Sequence, residues 1–268
     1  MANFESQYYD QADLWNRDLL SIEAERERIN TIIELIPSDV RTILDVGCGN
    51  GVFLNALPDK YHAIGLDSSQ EALKYVKTKA VKGDIAALPF ESKSFDLVTC
   101  LEVLEHLPFD TFNKAILELQ RVSRKYIIIS VPNDQDLDYH LVICPLCRCW
   151  YNPYRHVRSF NSEKLKTLFE HFVLSELKEI GPLEPRKYYN RYLLAANRLW
   201  RNIYPPSTAV CPQCGYQLIG CSSSGSAIKS GGILFHVSKL VKPFVKIIWR
   251  TQWRRRWLLA IYIKKVDG

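Results

Sequence analysis

The chain has 268 residues, of which 47% are hydrophobic and 24% are charged. This length and composition suit one α/β domain with an appended segment, and they exclude a wholly disordered or fibrous chain. The net charge of +6 is unevenly distributed, because residues 186–268 contain fifteen Lys or Arg and one acid, which leaves residues 1–185 with −8. We therefore expect the acidic body and the basic last third to meet different partners.

Strand and helix signals alternate along the first 180 residues and again at the end. Apolar runs predict strands at 42–46, 61–66, 80–82, 95–100, 126–131, 172–180 and 257–264. Amphipathic or capped segments predict helices at 18–36, 51–57, 69–77, 110–124 and 161–171. This order predicts an α/β fold with a doubly wound, Rossmann-like sheet of seven strands.

The alternation stops at Pro132, where a polar loop with several cysteines begins. Residues 181–256 look inserted between the last two strands and include an apolar-basic helix near 188–203. We therefore predict one domain of residues 1–180 plus 257–268. The insert of residues 181–256 would be fastened to the loop at 132–160.

The N-terminal sequence does not resemble a secretory signal, and the apolar runs are short. The N-terminal sequence MANFESQYYDQADLWN has neither a basic start nor an apolar segment, which argues against secretion. The longest apolar runs, 126–131 and 257–263, are far shorter than the roughly 20 residues of a membrane span. We expect a cytoplasmic protein whose cysteines stay reduced and serve as metal ligands or buried residues.

A glycine-rich turn follows the first predicted strand. Gly47, Gly49 and Gly51 allow a ligand to approach the backbone, and the predicted helix behind them would add a positive dipole end. Asp67 follows the second strand, where a carboxylate can accept from both ribose hydroxyls of an adenosine. Asp45 would repel a pyrophosphate and suits a cationic ligand, which favours S-adenosylmethionine. The alternative is a tight turn with a surface aspartate.

Four motifs in this order resemble the class I S-adenosylmethionine-dependent methyltransferases, and most closely their small-molecule, ubiquinone-biosynthesis-like branch. The motifs are Asp45–Gly51, Asp67, Gly83–Phe90 and Phe95–Leu107, and the resemblance covers roughly residues 40–135. It implies a doubly wound fold, S-adenosylmethionine as the cofactor and methyl transfer as the reaction.

The resemblance also implies the residues that bind the methionine and ribose parts of the cofactor. Gly47 and Gly49 would lie under the methionine moiety, and Asp45 would help to hold its ammonium group. Asp67 would bind the ribose, and we include the adjacent Ser68 among the predicted cofactor-binding residues.

Further residues are implied around the adenine and at the methionine end. Asp84 would accept from the adenine amino group, Ile85 would pack on the ring, and Leu101 would line the methionine end. Tyr8 and Tyr9 precede the first long helix, where such enzymes often cover the cofactor with an aromatic lid. A simple packing role for these two tyrosines is the alternative.

The sequence assigns no catalytic residue. Glu105 and His106 suggest acid–base chemistry, but in proteins of this type the Glu-Val-Leu-Glu-His-Leu run mostly shapes the loop after the fourth strand. A hydroxyl acceptor would need a base, and Tyr139, His140 and His156 lie in the substrate-facing loop.

Two CPxC pairs predict a metal site. Cys144 with Cys147 and Cys211 with Cys214 supply the four thiolates of a closed, tetrahedral structural zinc site. Scattered reduced thiols and a redox CxxC are the alternatives, although a redox motif usually follows a strand and opens a helix. Neighbouring residues that can substitute as ligands are Cys149, His156 and Cys221.

The insert contains a basic amphipathic segment at 233–254. Lys239, Lys242, Lys246 and Arg250 are spaced by three, four and four residues, which places them on one helix face. Such a helix can lie on an anionic membrane surface, or it can pack on the domain with a solvated basic face. Nucleic acid is not an expected partner, because no reader module is visible.

Together these features predict an S-adenosylmethionine-dependent methyltransferase that also binds structural Zn²⁺. Its acceptor would be a small molecule, a sugar or a lipid-linked intermediate, with O-methylation as the reaction and peripheral contact with an anionic membrane. One alternative is an RNA or protein methyltransferase that uses the basic insert as a reader. The other is a non-catalytic adenosylmethionine-fold protein whose zinc unit docks a partner.

Overall fold

The computed structural model describes residues 4–138, 141–187, 205–218 and 251–265. The strands of its main sheet are β1 Thr42–Val46, β2 His62–Asp67, β3 Lys79–Lys82, β4 Phe95–Leu101, β5 Ser123–Pro132, β8 Phe172–Lys187 and β9 Thr251–Lys264. A second, two-stranded sheet pairs β6 Val142–Ile143 with β7 Trp150–Tyr151.

The described α-helices are short apart from two. They are α1 Phe4–Tyr9, α2 Ala12–Trp15, α3 Glu23–Glu34, α4 Gln70–Leu73, α5 Phe109–Val122 and α6 Ser162–Lys166. Single 3-10 turns lie at Leu19–Ser21, Leu54–Ala56 and Leu104–His106. Within the described ranges, no helix is long and apolar enough to cross a membrane.

The main sheet has seven strands in the order β3-β2-β1-β4-β5-β9-β8. Strands β1 to β5 run parallel to one another, whereas β9 is antiparallel to both of its neighbours, β5 and β8. The strand order reverses beside β1, so the chain winds to both sides and leaves a crevice at the carboxyl ends of β1 and β4. The predicted doubly wound α/β fold is therefore confirmed.

The central strands bury both faces, and successive residues point to opposite sides of the sheet. Ile43, Leu97 and Ile128 pack with Ile29 and Ile32 of α3 on one face. Their neighbours in sequence pack on the other face, with α5 and α6. The central-strand members of that second cluster are Leu44, Val98, Ile127, Ile129, Leu258 and Ala260.

The last strand lies inside the sheet rather than at its edge. Residues 257–262 are all buried, and Ile261 pairs with Ile128. Strands β8 and β9 also continue beyond their predicted ends, with Lys187 paired to Thr251. The predicted helix near 188–203 and most of the basic segment at 233–254 lie outside the described residues.

The predicted helix at 51–57 is wrong. The structure has only a 3-10 turn at Leu54–Ala56, since Gly51 and Pro58 bound a stretch too short for a stable α-helix. The helix predicted at 69–77 is limited to α4, which Ser69 caps by accepting from the Ala72 N–H. The glycine loop is consequently not followed by the helix dipole that the sequence suggested.

Candidate active site

The glycine loop leaves the carboxyl end of β1 and turns beneath the end of β4. Gly47, Gly49 and Gly51 have φ values of 74°, 54° and 74°, a region that favours glycine. The Gly47 N–H donates to the Leu66 carbonyl at 2.7 Å, which fixes the loop to β2. A Cβ atom at Gly47 would lie 2.4 Å from Cγ2 of Val103, so the backbone passes this side chain with no room for a methyl group.

Asp67 at the end of β2 is bound to the glycine loop. Its Oδ2 accepts from the Gly49 N–H at 2.8 Å, and its Oδ1 accepts from the Ser69 N–H at 2.8 Å. Burial raises the pKa of Asp67 above its ordinary value, and the backbone donors oppose that shift. Each carboxylate oxygen keeps a further lone pair, so the group can also accept from a ligand hydroxyl. Ser68 is exposed beside it.

Asp45 is buried at the end of β1. The Thr99 hydroxyl donates to Asp45 Oδ1 at 2.6 Å. Burial nevertheless raises the pKa of Asp45 to about 7, and the nearby charge of Asp67 adds to the shift. A cationic group placed beside these two acids would stabilise both in their ionised forms.

The other predicted cofactor residues follow neighbouring strands at the same edge of the sheet. Asp84, after β3, is exposed and accepts from the Ala86 N–H at 2.8 Å. Ile85 is partly buried against the core, and Leu101 is partly buried at the end of β4. The structure thus places every predicted cofactor residue at one edge. Their individual roles remain predictions.

A short N-terminal segment, residues 7–17, covers the glycine loop. Trp15 lies over Gly49, where an added Cβ atom would be 2.9 Å from Cζ3 of the indole. The Trp15 Nε1–H and the Ser69 hydroxyl both donate to the Tyr9 carbonyl, at 2.6 Å and 2.8 Å. Tyr8 is buried with its ring 5.0 Å from that of Tyr9. Trp15 was not among the predicted site residues. Its aromatic character and its position six residues after Tyr9 could have indicated a role in the cover.

Three titratable side chains meet beside this cover. His106 lies between Tyr9 and His156, with ring centroids 6.4 Å and 4.6 Å away. The Val157 N–H donates to the Glu105 carbonyl at 2.8 Å, which brings the His156 turn to the loop after β4. Ligand atoms of Glu105, His106 and His156 all lie within 4.8 Å of one another.

The environment of this cluster makes it chemically unusual. Within the described part of the chain, neither carboxylate oxygen of Glu105 has a hydrogen-bond partner, and the side chain is buried. Burial raises the pKa of Glu105 well above its ordinary value, whereas burial and the neighbouring His156 lower the pKa of His106 to about 3. A neutral carboxyl beside the neutral imidazole of His106 can relay a proton, and Glu105, His106 and His156 together can hold a divalent cation.

Of the three residues that the sequence offered as a base, the structure describes only His156, since Tyr139 and His140 lie outside the described residues. Gln135 contacts His156, with Oε1 2.5 Å from Nδ1. The local sequence indicates a mainly structural role for Glu105 and His106. It gives no sign of their contact with His156, because the residues are about fifty positions apart.

The four predicted metal ligands come together in a separate cluster. Cys144 Sγ lies 3.6 Å from Cys214 Sγ, and Cys147 Sγ lies 3.6 Å from Cys211 Sγ. All four sulfur atoms are within 4.8 Å of one another. A fifth thiol, Cys149, lies 3.3 Å from Cys211. Sulfur atoms at this separation can share one tetrahedral metal ion, so the cluster has the composition of a structural zinc site.

The two CPxC turns have the same backbone geometry. In each, the N–H of the first cysteine donates at 2.9 Å to the carbonyl five positions later. The carbonyl of the same cysteine accepts at 3.0 Å from the N–H four positions later. The residue that donates this second bond has positive φ in both turns, 63° at Arg148 and 71° at Gly215. We call the turns at 144–149 and 211–216 the first and second knuckle.

Comparison with known proteins covers the central part of the chain. Residues 44–129 match the family model described as "Methyltransferase domain". Uncharacterized protein MJ0638 of Methanocaldococcus jannaschii is 40% identical over 97 residues, which are 34% of this chain and 41% of that protein. The Ubiquinone biosynthesis O-methyltransferase of Paracidovorax citrulli is 37% identical over 93 residues, 30% of this chain and 39% of that enzyme. The chain thus spans about two fifths of the length of the curated relatives that it matches.

The fold is also that of solved methyltransferases. A SAM-dependent methyltransferase from Thermotoga maritima aligns over 98% of this chain and 99% of its own, with a TM-score of 0.53 and 14% identity. At that identity the likeness concerns the fold. Residues 44–129 therefore form a methyltransferase domain.

Proposed function

We propose that this chain transfers the methyl group of S-adenosylmethionine to a small acceptor that binds beside Glu105, His106 and His156. The observation that carries the proposal is the glycine loop fastened to Asp67. Its three glycines have positive φ, and the carboxylate that the ribose would need is already positioned by the Gly49 N–H. Asp45 supplies a buried acid near the cationic methionine end.

The acceptor side follows from the position of the histidine cluster. Tyr9 contacts His106 and is itself anchored by Ser69, which follows Asp67 in the cofactor site. The cluster therefore lies next to the cofactor crevice. In methyl transfer the acceptor attacks the methyl carbon in line, S-adenosylhomocysteine leaves, and the acceptor must lose a proton. His156 would accept that proton from a hydroxyl, which favours O-methylation.

The nature of the acceptor is supported by similarity alone. The relatives that match the domain include ubiquinone-biosynthesis O-methyltransferases. We therefore propose a small hydroxyl-bearing acceptor, such as a phenol, a sugar or a lipid-linked intermediate. Peripheral binding to an anionic membrane through the basic segment at 233–254 would suit the lipid-linked case.

We further propose that Cys144, Cys147, Cys211 and Cys214 bind one structural Zn²⁺. The equivalent knuckles present two thiolates each, which completes four-coordinate geometry and leaves no position for a catalytic water. The zinc would join the loop at 132–160 to residues 205–218 of the insert.

Two successive experiments, on cofactor binding and then on turnover, test the proposal. Calorimetry with S-adenosylhomocysteine should give one site per chain. Isotope-labelled S-adenosylmethionine, incubated with the protein and a small-molecule extract of its native host, should then label a low-molecular-weight product. Label in RNA or protein instead would establish a macromolecular acceptor. Cofactor binding without any labelled product would favour a non-catalytic, partner-binding role.

A further inference from the structure

The second knuckle lies against the N-terminal cover of the cofactor site. The Gln11 side-chain N–H donates to the Thr208 carbonyl at 3.0 Å, and Gln217 Nε2 donates to Gln11 Oε1 at 2.5 Å. Gln7 reaches the Gly215 carbonyl at 3.4 Å. Residues about 200 positions apart in the chain are therefore held together by side-chain amides.

Gln11 connects this contact to the cover itself. Its Nε2 group also donates to the Tyr8 carbonyl at 3.0 Å, so one amide fastens Tyr8 to the knuckle. The loop at 132–160, which carries the first knuckle, reaches the same tyrosine, because the Arg155 guanidinium lies 5.3 Å from the centre of the Tyr8 ring. The cover is thus held from both segments that carry the cysteine pairs.

At its other end the cover is fastened to the cofactor loop. Asn50 Nδ2 donates to the Trp15 carbonyl at 2.9 Å, and the Trp15 indole lies over Gly49. Ser69 holds the Tyr9 carbonyl beside Asp67. A displacement of the cover would consequently remove Trp15 and Tyr9 from the groups that surround the proposed cofactor site.

Among the described residues, the two knuckles share only a small buried core. It consists of Val142, Tyr151 and Ala209 with the two cysteines Cys144 and Cys211. Two of these five core residues are thus thiols of the cluster. A core of this size normally needs a cross-link or a metal ion to stay folded.

We propose that metal binding at the two knuckles keeps the N-terminal cover closed over the cofactor loop, so that cofactor affinity depends on the metal. This inference rests on the proposed cofactor site and adds a way in which cofactor binding there is regulated. Loss of the metal would release residues 205–218, break the Gln11 contacts and open the cover. A chelator would then weaken cofactor binding without touching any residue of the cofactor crevice.

Three full-length variants test the inference against the wild type. Cys211→Ser/Cys214→Ser removes the metal ligands of the second knuckle. Gln11→Ala keeps all the cysteines and cuts the contact with the cover. Gln213→Ala removes the same amide from an exposed position on the same knuckle and is the matched control. The measurements are zinc content by elemental analysis, hydrogen exchange of residues 7–17, and the Kd for S-adenosylhomocysteine by calorimetry.

The wild type and Gln213→Ala should each contain one zinc and show slow exchange in residues 7–17. The cysteine variant should lack zinc, exchange faster there and bind S-adenosylhomocysteine about tenfold more weakly, the size expected for losing one or two hydrogen bonds of the cover. Gln11→Ala should keep its zinc and show the same two changes. Its behaviour decides the question if the cysteine variant fails to fold.

The inference is overturned if the wild type contains no zinc. It is equally overturned if Gln11→Ala, or a folded zinc-free cysteine variant, leaves the exchange of residues 7–17 unchanged. Failure of the proposed function gives a different result. In that case the wild type would bind neither S-adenosylmethionine nor S-adenosylhomocysteine, while zinc content and hydrogen exchange would still report on the knuckles and the cover.

Discussion

Thr99 donates a hydrogen bond of 2.6 Å to the buried carboxyl of Asp45, across the pairing of β1 with β4. This contact favours the ionised carboxylate, but burial has the larger effect and raises the pKa of Asp45 to about 7. Near neutral pH, Asp45 is therefore only partly ionised when no cation is beside it. A cationic ligand that binds there would lower the pKa of Asp45, so that the acid releases its proton.

Cofactor binding should consequently depend on pH. Because a cationic methionine end requires ionised Asp45, affinity for S-adenosylmethionine should fall about tenfold from pH 7.5 to pH 6 and be accompanied by proton release. Calorimetry in buffers with different ionisation enthalpies measures both quantities. Asp45→Asn should bind more weakly and lose most of the pH dependence. A wild-type affinity that is flat across this range would remove Asp45 from contact with the cation.

The apo protein should respond to pH in the opposite direction. A carboxyl whose pKa is raised by folding stabilises the native state while it is protonated, and this contribution is lost as the pH rises through about 7. The free energy of unfolding of apo wild type, relative to that of Asp45→Asn, should therefore decrease from pH 5 to pH 8. Denaturant titrations at four pH values measure it. An increase would contradict the raised pKa.

Asp67 should contribute more to cofactor affinity than any other side chain in the glycine loop region. Asp67→Ala would remove the two charge-assisted hydrogen bonds that we propose to the ribose, and it would also release the Gly49 and Ser69 amides. We expect a loss of roughly 2–3 kcal/mol in binding free energy. Calorimetry measures the loss, and Asp59→Ala, at an exposed aspartate between β1 and β2, should stay within about 0.5 kcal/mol of the wild type.

Much of this fold could be predicted from local pattern, and the failures have physical causes. The buried run at 126–131 and the alternating α/β order sufficed for the sheet, since strand burial and crossover rules are strong constraints. The prediction of a helix at 51–57 failed because residue propensities do not show that the segment between the glycine turn and Pro58 is too short for an α-helix. Cysteine spacing predicted the cluster, but nothing local could show Gln11 against Thr208.

His156 should affect turnover more than cofactor binding. Its imidazole lies at the acceptor side, 4.6 Å from the His106 ring, and carries the proton in the proposed reaction. His156→Ala should lower kcat about a hundredfold, a typical value for loss of a general base, with the cofactor Kd within about twofold of the wild type. The exposed His171 offers the control, and His171→Ala should keep its rate. Equal rates in both variants would refute the role of His156.

The basic segment at 233–254 gives a test of membrane contact that rests on sequence alone. Each Lys or Arg near an anionic surface contributes about 1 kcal/mol, so wild-type protein should co-sediment with phosphatidylglycerol vesicles and not with phosphatidylcholine vesicles at low salt. Added salt should release it. Replacing Lys239, Lys242, Lys246 and Arg250 by Gln should abolish co-sedimentation and leave cofactor binding unchanged. A wild type that ignores anionic vesicles at low salt would favour a packed helix and a freely diffusing acceptor.

The contact between Gly47 and Val103 provides the sharpest steric test of the cofactor loop. In Gly47→Ala the new methyl group would lie 2.4 Å from Val103 Cγ2, and the residue would keep a φ of 74°. The steric overlap should cost about 1–3 kcal/mol and the backbone strain about 1 kcal/mol more, either in stability or in cofactor affinity.

A second substitution separates these two costs. Val103→Ala removes the side chain that the new methyl group meets, so Gly47→Ala/Val103→Ala should recover the steric part and retain the backbone part. Thermal unfolding and calorimetry with S-adenosylhomocysteine should therefore place the double variant between Gly47→Ala and wild type. Val103→Ala alone serves as the control for the cavity that it creates. If the double variant is no better than Gly47→Ala, the close approach of Val103 is not what requires glycine at this position.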